Sequence, residues 1–207
     1  MEKLDLTKRY KTYFSAVSEP EIVQIEPAQF ISLTGKGDPS DEAFTQHIKA
    51  LYITAYTIKA RFKTEGKDFA VSKLEGLWWF DEDRFGRPAI WEAPGKIPRS
   101  EWGYRLLIRL PEYVTENDVK SAVKAAFRKK RLPLIHNVEF CCLHEGKCVQ
   151  MLHVGPFATE LETLKEITSV IQEQGFAKNG LHHEIYLSDF RRTAPDKLKT
   201  ILREPVR

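Results

Sequence analysis

One arrangement occurs twice in this chain: an apolar strand, a turn built on Gly or Pro, an amphipathic helix, and a short strand with an acid inside it. The first copy opens with Gln29-Phe30-Ile31-Ser32-Leu33 and turns at Gly35-Lys36-Gly37-Asp38-Pro39. A helix follows, with Phe44, Ile48, Leu51, Ala55, Ile58 and Phe62 spaced three and four apart, and then Leu74-Glu75-Gly76-Leu77-Trp78-Trp79-Phe80. The second copy runs from Val149 to Val154, turns at Gly155-Pro156 and forms a helix on Leu161, Leu164, Ile167 and Ile171. It closes on His183-Glu184-Ile185-Tyr186-Leu187. Agreement in order, length and acid placement points to an internal repeat.

Three further elements lie between or beside the copies. Trp102 to Leu110 alternates as a strand and stops at Pro111. Thr115-Glu116-Asn117-Asp118 reads as a capping box opening a helix whose apolar face is Val119, Ala122, Val123, Ala126 and Phe127. The cations Arg128-Lys129-Lys130-Arg131 close that helix and complement its dipole. Val138–Leu143 and Lys147–Val154 flank His144-Glu145-Gly146, a hairpin signal. Strands beside strands with intervening helices make an α+β fold: a mostly antiparallel sheet with three main helices. The expected division is an N-terminal segment over 1–20 and one domain over 21–207, with pseudo-repeats at about 28–110 and 136–190.

Charge and composition exclude several classes. A formal net charge of +3 gives no argument for direct nucleic-acid binding. The charged start MEKLDLTKRYKTYF lacks an apolar signal core, and no run of 18 apolar residues exists to cross a membrane. Cys141, Cys142 and Cys148 make no disulfide framework and read as buried thiols. A cytoplasmic protein is expected. No phosphate loop is present, since Gly35-Lys36-Gly37 lacks the pattern that should follow it. No metal or cofactor is expected either: His182 and Glu184 supply only two ligands on one strand face.

Candidate chemistry gathers on the acid-bearing strands. Alternation puts His182, Glu184, Tyr186 and Ser188 on one face. A carboxylate inside a strand beside tyrosine is costly unless a cation or a proton meets it. With the two repeats facing each other across a pseudo-twofold axis, the acid-bearing strands line a shared cleft. Glu184 and Tyr186 then come from one half, and Glu75 and Trp79 from the other. Tyr52 and Tyr56 stand one turn apart on the first long helix, and Trp102 and Tyr104 share a strand face. An aromatic cage with a carboxylate suits a flat, hydrophobic or cationic small molecule.

The strings His182-His183-Glu184-Ile185-Tyr186-Leu187-Ser188-Asp189 and Arg191-Arg192-Thr193-Ala194-Pro195 carry a resemblance, together with Leu74-Glu75-Gly76-Leu77-Trp78-Trp79 and the Gly-Pro turn after His153. From about Glu21 to the C-terminus the chain resembles the GyrI-like small-molecule-binding family, relatives of the effector-binding domains of AraC-type and multidrug-sensing regulators. The resemblance implies a duplicated β-α-β-β module and a central ligand cleft whose facing glutamate is Glu184. It also implies a stand-alone protein without a DNA-binding segment, of the kind linked to hydrolysis of cyclopropane-bearing genotoxins. Glu184 would activate water, Tyr52 or Tyr56 would stabilise the phenolate that forms, and Trp79, Trp102 and Tyr186 would stack on the substrate. A non-catalytic module that sequesters or senses drugs would use the same pocket, and its protein partner is unspecified.

Overall fold

In the computed structural model of the protein, which describes residues 3–207, eight strands form one sheet. The chain order is α1 (Leu6–Arg9), β1 (Glu21–Ile25), β2 (Ala28–Lys36), α2 (Glu42–Thr64), β3 (Leu74–Trp79), α3 (Glu82–Phe85), α4 (Ala93–Lys96) and β4 (Gly103–Arg109). It continues through α5 (Glu116–Lys130), β5 (Glu139–Leu143), β6 (Gly146–Val154), α6 (Glu160–Glu173), β7 (His182–Tyr186) and β8 (Lys199–Pro205). The sheet order is β1-β6-β8-β7-β3-β4-β2-β5, and all pairings are antiparallel. The fold is α+β, with α2, α5 and α6 as its main helices. No helix among the described residues is long and apolar enough to cross a membrane.

The repeat is visible in this order. β2-α2-β3-β4 and β6-α6-β7-β8 are two β-α-β-β units, each with its last strand paired between the other two. They meet where β7 pairs with β3, placing Glu184 opposite Gly76 and His183 opposite Leu77. Two features differ from the sequence reading. β8 closes the second unit, where no strand was expected beyond 190. The hairpin around Gly146 does not form: β5 pairs with β2 at one edge, while β6 pairs with β1 and β8 near the other.

That misplaced hairpin reveals the sheet's shape. In a flat sheet β5 and β6 would lie six strand spacings apart, about 29 Å. The link from Leu143 to Gly146 can span at most about 11 Å. The sheet therefore curls until its ends approach, leaving an outer face and an enclosed inner one. The outer face carries two apolar clusters, one under α2 and α5 with Leu33, Ile48, Leu51 and Leu106, the other under α6 with Met151, Leu164, Ile167 and Leu202. α5 starts with the expected capping box: the Thr115 amide donates to Asp118 Oδ2 at 2.8 Å, and the Asp118 amide donates back to Thr115 Oγ1 at 3.3 Å.

The inner face is filled by the N-terminal segment. Leu6, Tyr13 and Phe14 pack with Phe30, Leu107, Ile185 and Ile201. Cys148 is buried here, whereas Cys142 is exposed on the edge strand β5, contrary to the expectation of buried thiols. A polar network runs through this core. Tyr13 Oη donates to Glu75 Oε2 at 2.5 Å, and His183 Nε2 reaches the same oxygen at 3.0 Å. His183 Nδ1 meets Glu145 Oε1 at 2.9 Å. Arg203 donates to Glu145 at 3.1 Å, to Gln150 Oε1 at 3.0 Å and to the Tyr13 carbonyl at 2.9 Å. Burial alone would lower the His183 pKa, but the Glu145 and Glu75 carboxylates raise it to about 9. Burial opposes ionisation of Glu145 as well, yet His183 and Arg203 bring it down to about 2.

These two shifts set a pH window for stability. The His183 contribution is complete below its unfolded value of 6.5 and is lost as pH rises toward 9. The Glu145 contribution is complete above 4.5 and is lost as pH falls toward 2. Urea unfolding across pH should show these two contributions falling away below about 4.5 and above about 6.5, by up to about 1.4 kcal/mol per pH unit for each group. The raised pKa of the buried Glu160 lowers stability above 4.5 and places the maximum near the acid end of that interval. A maximum above pH 8 would contradict the network.

Candidate functional site

The seam between the two units places the acid. β7 points His182, Glu184 and Tyr186 to the outer face, as alternation requires, and sends His183 and Ile185 inward. Glu184 is half-buried, accepts a hydrogen bond from Tyr186 Oη at 2.7 Å and lies 3.3 Å from His182 Nε2 as an ion pair. The other ring nitrogen of His182 bonds Glu204 of β8. Burial works against a charged His182, but Glu204 and Glu184 on either side lift its pKa to about 10, so the ring pairs with both carboxyl groups as a cation. Trp78 Nε1 donates to Tyr186 Oη at 3.2 Å, extending the chain from Trp78 through Tyr186 to Glu184 and then through His182 to Glu204.

A third carboxyl group joins them. Glu160, the first residue of α6, is 8% exposed, and its Oε1 has no hydrogen-bond partner among the described residues. Burial first, and the nearby charge of Glu184 second, hold its pKa well above the usual carboxylate range against the opposing pull of His182. Burial thus favours the neutral form of Glu160, close beside Glu184.

Aromatic rings cover the cluster. Phe157, Tyr186 and Phe190 pack edge to face, with centroids 5.8–6.0 Å apart. Beyond them a groove of about 1040 Å³ runs along α2, lined in part by Tyr52, Tyr56, Tyr186, Phe190 and Arg191. The Tyr52 and Tyr56 rings are 6.3 Å apart, and the Arg191 guanidinium lies 5.9 Å from the Tyr52 centroid. Burial raises the Tyr52 phenol pKa, while Arg191 pulls it the other way. Glu184 does not line this groove. Tyr186 stands between them, lining the groove and hydrogen-bonding the acid behind it.

The structure thus gathers Tyr52, Tyr56 and Tyr186 in one groove with Glu184 one side chain deeper. It does not bring the other candidates there. Glu75 and Trp79 lie on the opposite face of the sheet from Glu184, so the shared cleft expected of them is corrected. Glu75 is fully buried in the inner network, and the Trp79 indole covers Gly103 so closely that a Cβ there would sit 2.4 Å from the ring. The reason is register: Glu75 pairs with Ile185, and Glu184 pairs with Gly76, so the two acids are offset by one residue. Trp78 holds the place expected of Trp79. Tyr104 is packed under Phe44 and Trp78, with its hydroxyl 2.9 Å from His47 Nδ1. Trp102 is buried against Phe80. Neither lines the groove.

The chain as a whole has close counterparts. A profile for the GyrI-like small molecule binding domain matches residues 110–207. A crystal structure of an uncharacterized conserved protein from Listeria innocua is 36% identical, with a TM-score of 0.87, covering 99% of this chain and 100% of that one. The chain belongs to the GyrI-like small-molecule-binding family. A second Listeria innocua structure, of a protein described as a hydrolase, is 34% identical with a TM-score of 0.83, over 99% of this chain and 100% of that one. The EcmrR C-terminal domain shares the fold at 9% identity and a TM-score of 0.52, over 91% of this chain and 97% of that domain. No curated protein sequence matches the chain. Across this GyrI-like protein the profile takes in the whole second unit, including Glu160, His182, Glu184 and Glu204.

Gly76 has a packing role at the centre of the site. A Cβ on it would lie 2.9 Å from Trp78 Nε1 and 3.0 Å from Tyr186 Oη. Gly76→Ala should therefore break the Trp78–Tyr186 contact and cost about 1–3 kcal/mol. Thermal unfolding and Trp fluorescence would register it, and an unchanged midpoint with unchanged emission would count against this packing.

Proposed function

We propose that this protein binds flat hydrophobic small molecules in the groove beside Tyr52, Tyr56 and Tyr186, and hydrolyses guests that carry a strained, conjugated cyclopropane. The observation behind this reading is Glu184: an acid held by the Tyr186 hydroxyl and paired with His182, one side chain behind an aromatic groove and next to the buried Glu160. The similarity to a protein described as a hydrolase supports the catalytic half.

The chemistry balances on these groups. Glu184 takes a proton from water as the water oxygen bonds to the cyclopropane methylene carbon. The ring C–C bond breaks, and its electron pair moves through the conjugated ring onto the distal carbonyl oxygen, giving a phenolate. Tyr52, half-buried beside Arg191, donates a hydrogen bond to that oxygen, with Tyr56 as the second donor. The proton on Glu184 then passes through solvent to the phenolate. The rings of Tyr186 and Phe190 stack on the substrate.

Incubation of the purified protein with a duocarmycin-type cyclopropane compound, followed by mass spectrometry, tests the proposal. A product heavier by one water, absent with Glu184→Gln, supports it. Tight binding with unchanged ligand mass would leave a sequestering protein in its place.

A further inference from the structure

The groove carries a charge opposite to that of the acid cluster behind it. Its wall includes the cations Lys49, Lys73, Lys129, Lys130 and Arg191 and only two carboxylates, Asp5 and Asp189. That excess of three positive charges equals the formal net charge of the whole chain. Both carboxylates are engaged. Asp189 holds Arg191 through two bonds of 2.9 and 3.0 Å, and Asp5 caps α1 through the Thr7 amide and hydroxyl. Lys73 donates to the Leu187 carbonyl at 2.6 Å. Lys49, Lys129 and Lys130 are exposed and have no salt bridge or hydrogen-bond partner for their ammonium groups among the described residues. The carbonyl end of α5 carries only about half a negative charge, which Lys129 and Lys130 exceed.

The floor between these cations is apolar, with Ile48, Leu74 and Ala126 below and the Tyr52 and Tyr56 rings beside them. Ser72, 6% exposed, also belongs to this wall, and its hydroxyl has no hydrogen-bond partner among the described residues. An apolar slot of drug size, a buried polar group left without a partner and three unpaired ammoniums at the rim describe an amphiphilic guest. We propose that the groove selects small aromatic anions, such as an aryl carboxylate, with the ring on the Ile48–Leu74 floor and the acid group among Lys49, Lys129 and Lys130. This rests on the reading of the groove as a ligand site, and not on water activation at Glu184.

The test uses one ring system in three charge states: 2-naphthoate, 2-naphthamide and a 2-naphthylmethyl trimethylammonium salt, titrated calorimetrically at pH 7 and low salt. Naphthoate should bind about tenfold more tightly than the amide, since three exposed charge contacts each contribute a modest factor, and the cation should bind most weakly. Raising ionic strength should shrink the preference. The triple variant Lys49→Gln, Lys129→Gln, Lys130→Gln should bring naphthoate down to the amide's affinity and leave the amide unchanged. None of the three compounds carries a cyclopropane, so the readout is binding alone and its failure is distinct from failure of the hydrolytic reading. Equal or tighter binding of the amide or the cation, a preference that survives the triple variant, or no binding of any of the three would overturn the proposal.

Discussion

Glu184→Gln should leave the protein folded and lower turnover of a cyclopropane substrate by about two to four orders of magnitude, the usual yield of a positioned general base. The substitution keeps size and hydrogen-bonding shape. Tyr186 can still donate to the amide oxygen, and His182 keeps Glu204 as its ion-pair partner. What disappears is the ability to accept a proton from water. Binding of the unreacted compound should change by much less than turnover, because stacking surfaces are untouched. Rates, substrate affinity and the unfolding midpoint, measured on one preparation, separate these effects. A variant with wild-type rate would remove Glu184 from the mechanism. A variant that loses rate and midpoint together would show only that the acid supports the fold.

Arg203→Met should be the most damaging of simple substitutions for stability. Arg203 is wholly buried, and its guanidinium serves Glu145, Gln150 and the Tyr13 carbonyl while lying 4.6 Å from the Tyr13 centroid. Removing it leaves the buried Glu145 with His183 alone and takes the donor from a main-chain carbonyl. Breaking such a pair by deleting one partner costs about 3–5 kcal/mol, or roughly 6–20 °C in midpoint for a chain of this size. Thermal unfolding by circular dichroism reads this directly. The double variant Arg203→Met, Glu145→Gln should recover part of the loss, since no carboxylate is then stranded. A fall below about 1 kcal/mol for the single variant would mean that water reaches the inner face and screens the network.

The sequence revealed the duplicated plan and the place of Glu184 because both rest on short-range periodicity. Alternation along His182–Tyr186 needs no knowledge of neighbours, and the stripes of α2, α5 and α6 are each local. Pairing was harder. Glu75 looked like the counterpart of Glu184 because both sit inside aromatic-bearing strands. The decisive fact is a one-residue offset across the β3–β7 pair, which turns one acid outward and the other inward. The apparent hairpin at Gly146 failed for a related reason: two strands joined by a short link need not pair when a curled sheet brings its distant ends together. Glu160 could not be singled out, since a glutamate opening a helix is ordinary and only the tertiary fold shows it stripped of water and partners. The positive groove was equally hidden, its cations coming from residues as far apart as Lys49, Lys130 and Arg191.

The position of β8 also sets a schedule for how the molecule can be made. Residues 199–205 are synthesised after the other seven strands of the sheet, yet they lie inside the second unit between β6 and β7 rather than at its edge. Until they leave the ribosome, β6 and β7 have no common neighbour, and Arg203 is not there to donate to the Tyr13 carbonyl 190 positions earlier in the chain. The first unit has all its strands by residue 109 and can assemble early. The segment carrying Leu6, Tyr13 and Phe14 precedes all eight strands and has no finished surface to settle on until β8 is in place. The segment before β1 and the strand β8 thus reach their native places in the same late step, one with high loop-closure cost.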